Sequence, residues 1–162
     1  MKRNQHLSKA EHARALFESG CNCAQSVAGS FYQEMGLSEE TVLLLASPFG
    51  GGISRMRETC GAVTGMMMVL GLTHGYQPFT DEETHLREKT RVYRTGQELA
   101  ESFRRKYGTL LCRELLRGTG ADDTPEPSAR TEQYYRSRPC AEIIAFAASL
   151  LDEYLQEQNR KE

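Results

Sequence analysis

Five cysteines carry most of the chemistry open to this chain: Cys21, Cys23, Cys60, Cys112 and Cys140. Their odd number argues against a fully paired disulfide framework. Cys60 opens "CGAVTG" directly after "SPFGGGISRMRET", and Cys140 follows Pro139 in "RPC". Thiolate is the form that attacks disulfides and binds soft metals. Redox exchange and metal ligation are therefore the two chemistries to weigh. The chain has no GxGxxG, GxxxxGK, HExxH or CxxC, which excludes a thioredoxin-type motif.

The elements that must position these sulfurs read as helices almost throughout. Ser8 is an N-cap with Glu11 as its capping-box partner. The helix after it buries Ala13, Leu16 and Phe17 and ends at Gly20. A second helix runs from about Asn22 to Met35, with Cys23, Val27, Phe31 and Met35 on one stripe. Ser38 caps a third, Glu39 to Ala46, which Pro48 terminates. A fourth runs from about Arg57 to Thr73 and closes at Gly75. Thr80 and Glu83 form a capping box for the longest, Asp81 to about Tyr107, softly broken at Gly96. A brief helix, Leu110 to Leu116, carries Cys112. The last begins near Pro139 and buries Ile143, Ile144, Ala147, Leu150, Leu151 and Tyr154. "RGTGADDTPEPSAR" is a polar loop, and 117–131 is the expected flexible segment. The pattern predicts an all-α, single-domain helical bundle over 1–162, with about five to seven helices.

On this map Cys23, Cys60, Cys112 and Cys140 share one address, near a helix N-terminus. Unpaired N–H groups and the positive end of the helix dipole favour thiolate there. Arg55 and Arg57 add positive charge near Cys60. Gly50, Gly51 and Gly52 let the backbone turn tightly and offer N–H groups to an anion or cluster, with Arg55 beside them. Gly61 and Gly65 share one helix face and let another helix approach Cys60. Any single cysteine could instead be packing; the shared address favours chemistry. Cys21 is an extra, exposed thiol. His12, His74 and His85 read as surface or capping residues, and His6 as disordered. Met66, Met67 and Met68 read as core filler.

The rest of the composition narrows the class. The formal charge is −2, so no electrostatic footprint for nucleic acid is visible. No apolar run approaches the roughly 20 residues of a membrane span. The N-terminus lacks the apolar region and cleavage site of a secretory signal. The expectation is a cytoplasmic protein, where thiols stay reduced.

The combination "GCNCAQSV", "FGGG…CGAVTG", a lone cysteine and "RPC" before the last helix resembles the redox-active family with the C-GCAxxG-C-C cysteine pattern. The similarity spans the chain from about Gly20 to the final helix. It maps the family's four cysteines onto Cys23, Cys60, Cys112 and Cys140, with Cys21 as an addition. It implies a small helical protein working in electron transfer, thiol redox chemistry or metal binding.

Three functions follow as expectations. The first is an electron carrier or oxidoreductase in which Cys23, Cys60, Cys112 and Cys140 ligate an iron–sulfur cluster, with zinc as the runner-up. The second is a metal-free thiol–disulfide switch, with Cys60 as the attacking thiolate and Cys23 the other catalytic candidate. The third is a non-enzymatic helical interaction module, conceivably a homo-oligomer, with structural cysteines. The redox partner is not identifiable from sequence.

Overall fold

In the computed structural model, residues 7–161 are described, and the expectations for His6 and the first residues lie outside them. The described residues form eight α-helices: α1 (Lys9–Glu18), α2 (Cys23–Gly29), α3 (Glu39–Ala46), α4 (Gly61–His74), α5 (Glu82–Tyr107), α6 (Cys112–Leu115), α7 (Glu132–Ser137) and α8 (Cys140–Asn159). A short 3-10 turn covers Ser47–Phe49. Among the described residues there is no strand, only one antiparallel bridge between Thr59 and Leu111. The all-α fold is thus as expected, with two very short helices, α6 and α7, bringing the number above the expected range. No helix of the described residues is long and apolar enough to cross a membrane.

Local chemistry explains most boundaries. At α1 the Ser8 hydroxyl accepts from the Glu11 amide at 3.2 Å, and the Glu11 carboxylate accepts from the Ser8 amide at 2.7 Å. These bonds satisfy donors that a helix start leaves orphaned. Asn22 and Gln25 make the same reciprocal pair at α2. The cap of α5 is Asp81, whose carboxylate accepts from the Thr84 amide at 2.9 Å. This replaces the expected Thr80–Glu83 box. Gly96 does not interrupt α5, which runs on until Gly108 turns left-handed at φ 80°.

Two boundaries differ for packing reasons. The helix expected to reach Met35 stops at Gly29, and 30–36 continues as tight turns, with Phe31 N–H donating to Ala28 and Tyr32 N–H to Gly29. The expected apolar stripe survives this change: Val27 and Phe31 are fully buried. α4 begins at Gly61 rather than Arg57, because 51–57 is wound the opposite way, as described below.

α8 packs chiefly on α1, and α2 on α4, so the starts of α2, α4 and α8 meet at one end. The core between them includes Phe17, Phe31, Met66, Phe103, Ile144 and Leu151, all essentially inaccessible. Burying each such side chain contributes roughly 1.5–3 kcal/mol. Close approach of α2 to α4 requires glycine: a Cβ on Gly61 would lie 2.9 Å from Cys23 Cβ, and one on Gly65 3.0 Å from the Ala24 carbonyl oxygen.

Candidate thiol site

Cys60 and Cys112 are brought to the same place by the Thr59–Leu111 bridge. The Cys60 amide donates to the Leu110 carbonyl at 2.8 Å, and the Cys112 amide to the Glu58 carbonyl at 2.7 Å. The Glu58 and Arg113 side chains close the outside of this pairing at 3.0 Å. Cys23 and Cys140 are the first residues of α2 and α8, Cys112 is the first of α6, and Cys60 is the N-cap of α4. All four line a single cavity of about 390 Å³. Cys60, Cys112 and Cys140 are buried and Cys23 is half-buried. None is disulfide-bonded. Cys21 lies outside the lining, half-buried, and burial pushes its thiol up.

The four sulfurs are not equivalent. Cys140, its neighbour in the cavity, does most to bring the Cys23 thiol down to about 7; Arg130 and the backbone amides of Cys23 and Gly51 also lower it, against the cost of burial. The same pairing, with burial and the Cys23 charge, pushes Cys140 well up. Burial and the Cys23 charge likewise push Cys60 far above the usual thiol range. Burial raises Cys112, although Arg57 opposes it. Ionising one thiol in a shared low-dielectric space disfavours ionising its neighbours. The arrangement therefore favours ionisation at Cys23 over ionisation at Cys60, Cys112 or Cys140.

The glycine-rich segment is a left-handed coil. Gly51, Gly52, Ile53, Ser54 and Arg55 all have positive φ, between 46° and 69°, and Arg57 follows at 59°. A left-handed conformation costs a non-glycine residue roughly 1–2 kcal/mol. Bonds to earlier carbonyls hold the coil: Ser54 N–H to Pro48 at 2.7 Å, Arg55 N–H to Gly50 at 3.1 Å and Arg57 N–H to Gly51 at 3.1 Å. Gly50, Gly51 and Arg55 line the cavity, as does Arg57. Gly52 does not; it is pressed against Cys112, whose Cβ would lie 2.6 Å from an added Cβ. Backbone strain concentrated beside reactive groups is a mark of functional sites.

The polar segment 117–131 forms one wall. Arg55 donates to the Asp122 carboxylate at 2.9 Å and to the Thr124 carbonyl at 2.5 Å, and Arg57 donates to the Asp122 carbonyl at 2.7 Å. Arg130 sits between aromatic rings, 4.7 Å from the centres of Phe17 and Tyr134 and 5.7 Å from that of Tyr135. It also donates to the Cys21 carbonyl at 3.1 Å. Arg138 stacks on Tyr134 at 4.3 Å. The sequence reading missed Arg130, Tyr134, Tyr135 and Arg138; their interleaved basic and aromatic types were the available signal.

Four cysteine donors are the chemistry that zinc or an iron–sulfur cluster takes. Among the described residues, no three His, Cys, Asp or Glu side chains are grouped so as to hold a metal ion. As arranged, the four thiols share a cavity without forming a ligand set, and they do not fit such a group.

A small helical protein that gathers distant cysteines at helix starts around one pocket is the class this fold and site define. Residues 21–154 match the family described as "Putative redox-active protein (C_GCAxxG_C_C)", and the chain belongs to that family. No curated protein and no solved structure matches the chain.

Proposed function

We propose that the protein is a thiol–disulfide oxidoreductase in which Cys23 attacks and Cys140 resolves. The observation that supports this reading is that Cys23 and Cys140, the first residues of α2 and α8, line one cavity, with Cys23 the most accessible of its four cysteines. The Cys23 thiolate attacks one sulfur of a disulfide R–S–S–R. A Cys23–S–S–R mixed disulfide forms and one RS⁻ leaves. Cys140 then gives up its proton and attacks Cys23 Sγ. A Cys23–Cys140 disulfide forms, the second RS⁻ leaves, and one departing thiolate carries away the Cys140 proton. Two electrons pass from the cysteine pair to the substrate. In this reading attack falls to Cys23 rather than to Cys60, whose burial disfavours the thiolate.

A second reading keeps the four-cysteine ligand set, because all four line one cavity. It requires the sulfurs to draw together around iron–sulfur or zinc. Anaerobic purification followed by metal and sulfide analysis, then reaction of the reduced protein with a disulfide, separates the two. Metal-free protein that loses two hydrogens and yields a Cys23–Cys140 crosslinked peptide supports the thiol reading. Stoichiometric iron with acid-labile sulfide, or stoichiometric zinc, overturns it. Metal-free protein inert to disulfides leaves the helical interaction module.

A further inference from the structure

Arg57 is a buried cation with no ion-pair partner among the described residues. Its side chain lies on the cavity wall and the residue is 6% exposed. One nitrogen, Nε, donates to the Asp122 carbonyl at 2.7 Å, and Nη1 donates to Cys112 Sγ at 3.6 Å. The remaining nitrogen, Nη2, is buried and has no hydrogen-bond partner among the described residues. The Asp122 carboxylate, the nearest candidate counter-charge, is taken by Arg55 and the Thr124 hydroxyl. Leaving a charged donor buried and unpaired is costly, and a ligand anion removes that cost.

The rest of the cavity agrees in sign. Arg55, Arg57, Arg130 and Arg138 line it, and no aspartate or glutamate does. Its volume, about 390 Å³, is that of a pocket for a small organic molecule. Its proline, leucine, isoleucine and tyrosine lining suits carbon and sulfur, leaving the arginines for charged ends.

We propose that the cavity selects a small organic disulfide carrying a carboxylate, which pairs with the guanidinium of Arg57 while the S–S bond lies against Cys23. This assignment rests on the thiol–disulfide reading and names its substrate class. The electron balance is that of the exchange given above, with the anionic disulfide as the oxidant and its two thiols as products.

Three disulfides of similar size test it: dithiodiglycolate (anionic), dithiodiethanol (neutral) and cystamine (cationic). Each is mixed anaerobically with reduced protein, and loss of thiolate absorbance is timed. Dithiodiglycolate is expected to react faster than cystamine by roughly tenfold or more at low salt. In Arg57→Gln that ratio is expected to fall severalfold, the remaining preference coming from Arg55, Arg130 and Arg138. A ratio near one in the wild type, or an unchanged ratio in Arg57→Gln, overturns the assignment. Reaction with dithiodiethanol but not dithiodiglycolate overturns this assignment alone. Reaction with none of the three overturns the thiol–disulfide reading as well. Should Arg57→Gln not fold, thiodiglycolate, which has no S–S bond, is used on the wild type. Slowed alkylation of Cys23 by neutral iodoacetamide, with thiodiethanol giving no protection, supports the assignment, and no slowing at saturating thiodiglycolate overturns it.

Discussion

Cys23 and Cys140 stand at the starts of α2 and α8 and line the same cavity, where their mutual influence lowers the Cys23 thiol and raises that of Cys140. One pairing thereby gives opposite shifts to two residues of the same type. The difference between them arises from position: Cys23 also receives help from Arg130 and from the Cys23 and Gly51 amides, whereas neighbouring sulfur charges press on Cys140.

Titration of thiolate absorbance should show one thiolate appearing with a midpoint of about 7, and the other thiols ionising at higher pH. Cys23→Ser should remove that step. Cys140→Ala should move it upward toward the ordinary thiol range, and Cys140→Ser should move it less, because a hydroxyl can still donate. A midpoint unchanged in Cys140→Ala would contradict the pairing.

Stability should depend on pH through the same groups. The Cys23 thiol is lowered on folding, so its contribution is present in full above the unfolded range of roughly 8.5 and is lost as pH falls through about 7. Cys60, Cys112 and Cys140 are raised, so theirs is present below the unfolded range and lost as pH rises through their folded values. Urea midpoints measured under reducing conditions should show the wild type gaining on Cys23→Ser between neutral and mildly alkaline pH. The opposite trend would mean that Cys23 is not the lowered thiol.

Gly61→Ala should be damaging and Gly71→Ala harmless, although both lie in α4. The added methyl at Gly61 meets Cys23 Cβ, the Ala24 amide nitrogen and the Phe49 carbonyl at 2.9–3.0 Å, while Gly71 has nothing within 4 Å. Overpacking costs roughly 1–3 kcal/mol, whereas alanine for glycine inside a helix gains up to about 1 kcal/mol. Urea unfolding of both variants checks the difference. Gly61→Ala should also shift the Cys23 titration, since its clash is with that residue.

Arg130→Lys should fail to replace Arg130. Lysine keeps the charge but cannot stack its head between Phe17, Tyr134 and Tyr135 or reach the Cys21 carbonyl with a planar fork. Loss of stability of about 1–3 kcal/mol is expected, with a smaller rise in the Cys23 midpoint than in Arg130→Ala. Equal midpoints in the two variants would show that charge at this position does not reach the thiolate.

Much of the site was legible because helix starts leave local marks. Asn22 with Gln25, and Pro139 before Cys140, place two cysteines at N-termini by rules that act within a few residues. The glycines of α4 signalled a close approach, and that approach is to Cys23 itself. Arg57 was read as nearby charge only, since nothing in "ISRMRE" reveals four non-glycine residues in the left-handed region. The coil is held by backbone bonds to Pro48, Gly50 and Gly51, and its arginine side chains are anchored on the distant Asp122 and Thr124. α7 was missed for a related reason: "TEQYYRS" is short and polar, and its tyrosines are fixed by Phe17 and Arg130 from elsewhere in the chain. Propensity inside a window cannot register such contacts.

The four sulfurs reach their pocket from segments more than a hundred residues apart, so only a nearly whole chain can build it. When the chain opens, Cys23 reverts to an ordinary thiol, mostly protonated at neutral pH. The lowered thiol therefore belongs to the assembled tertiary structure and to no single segment of it.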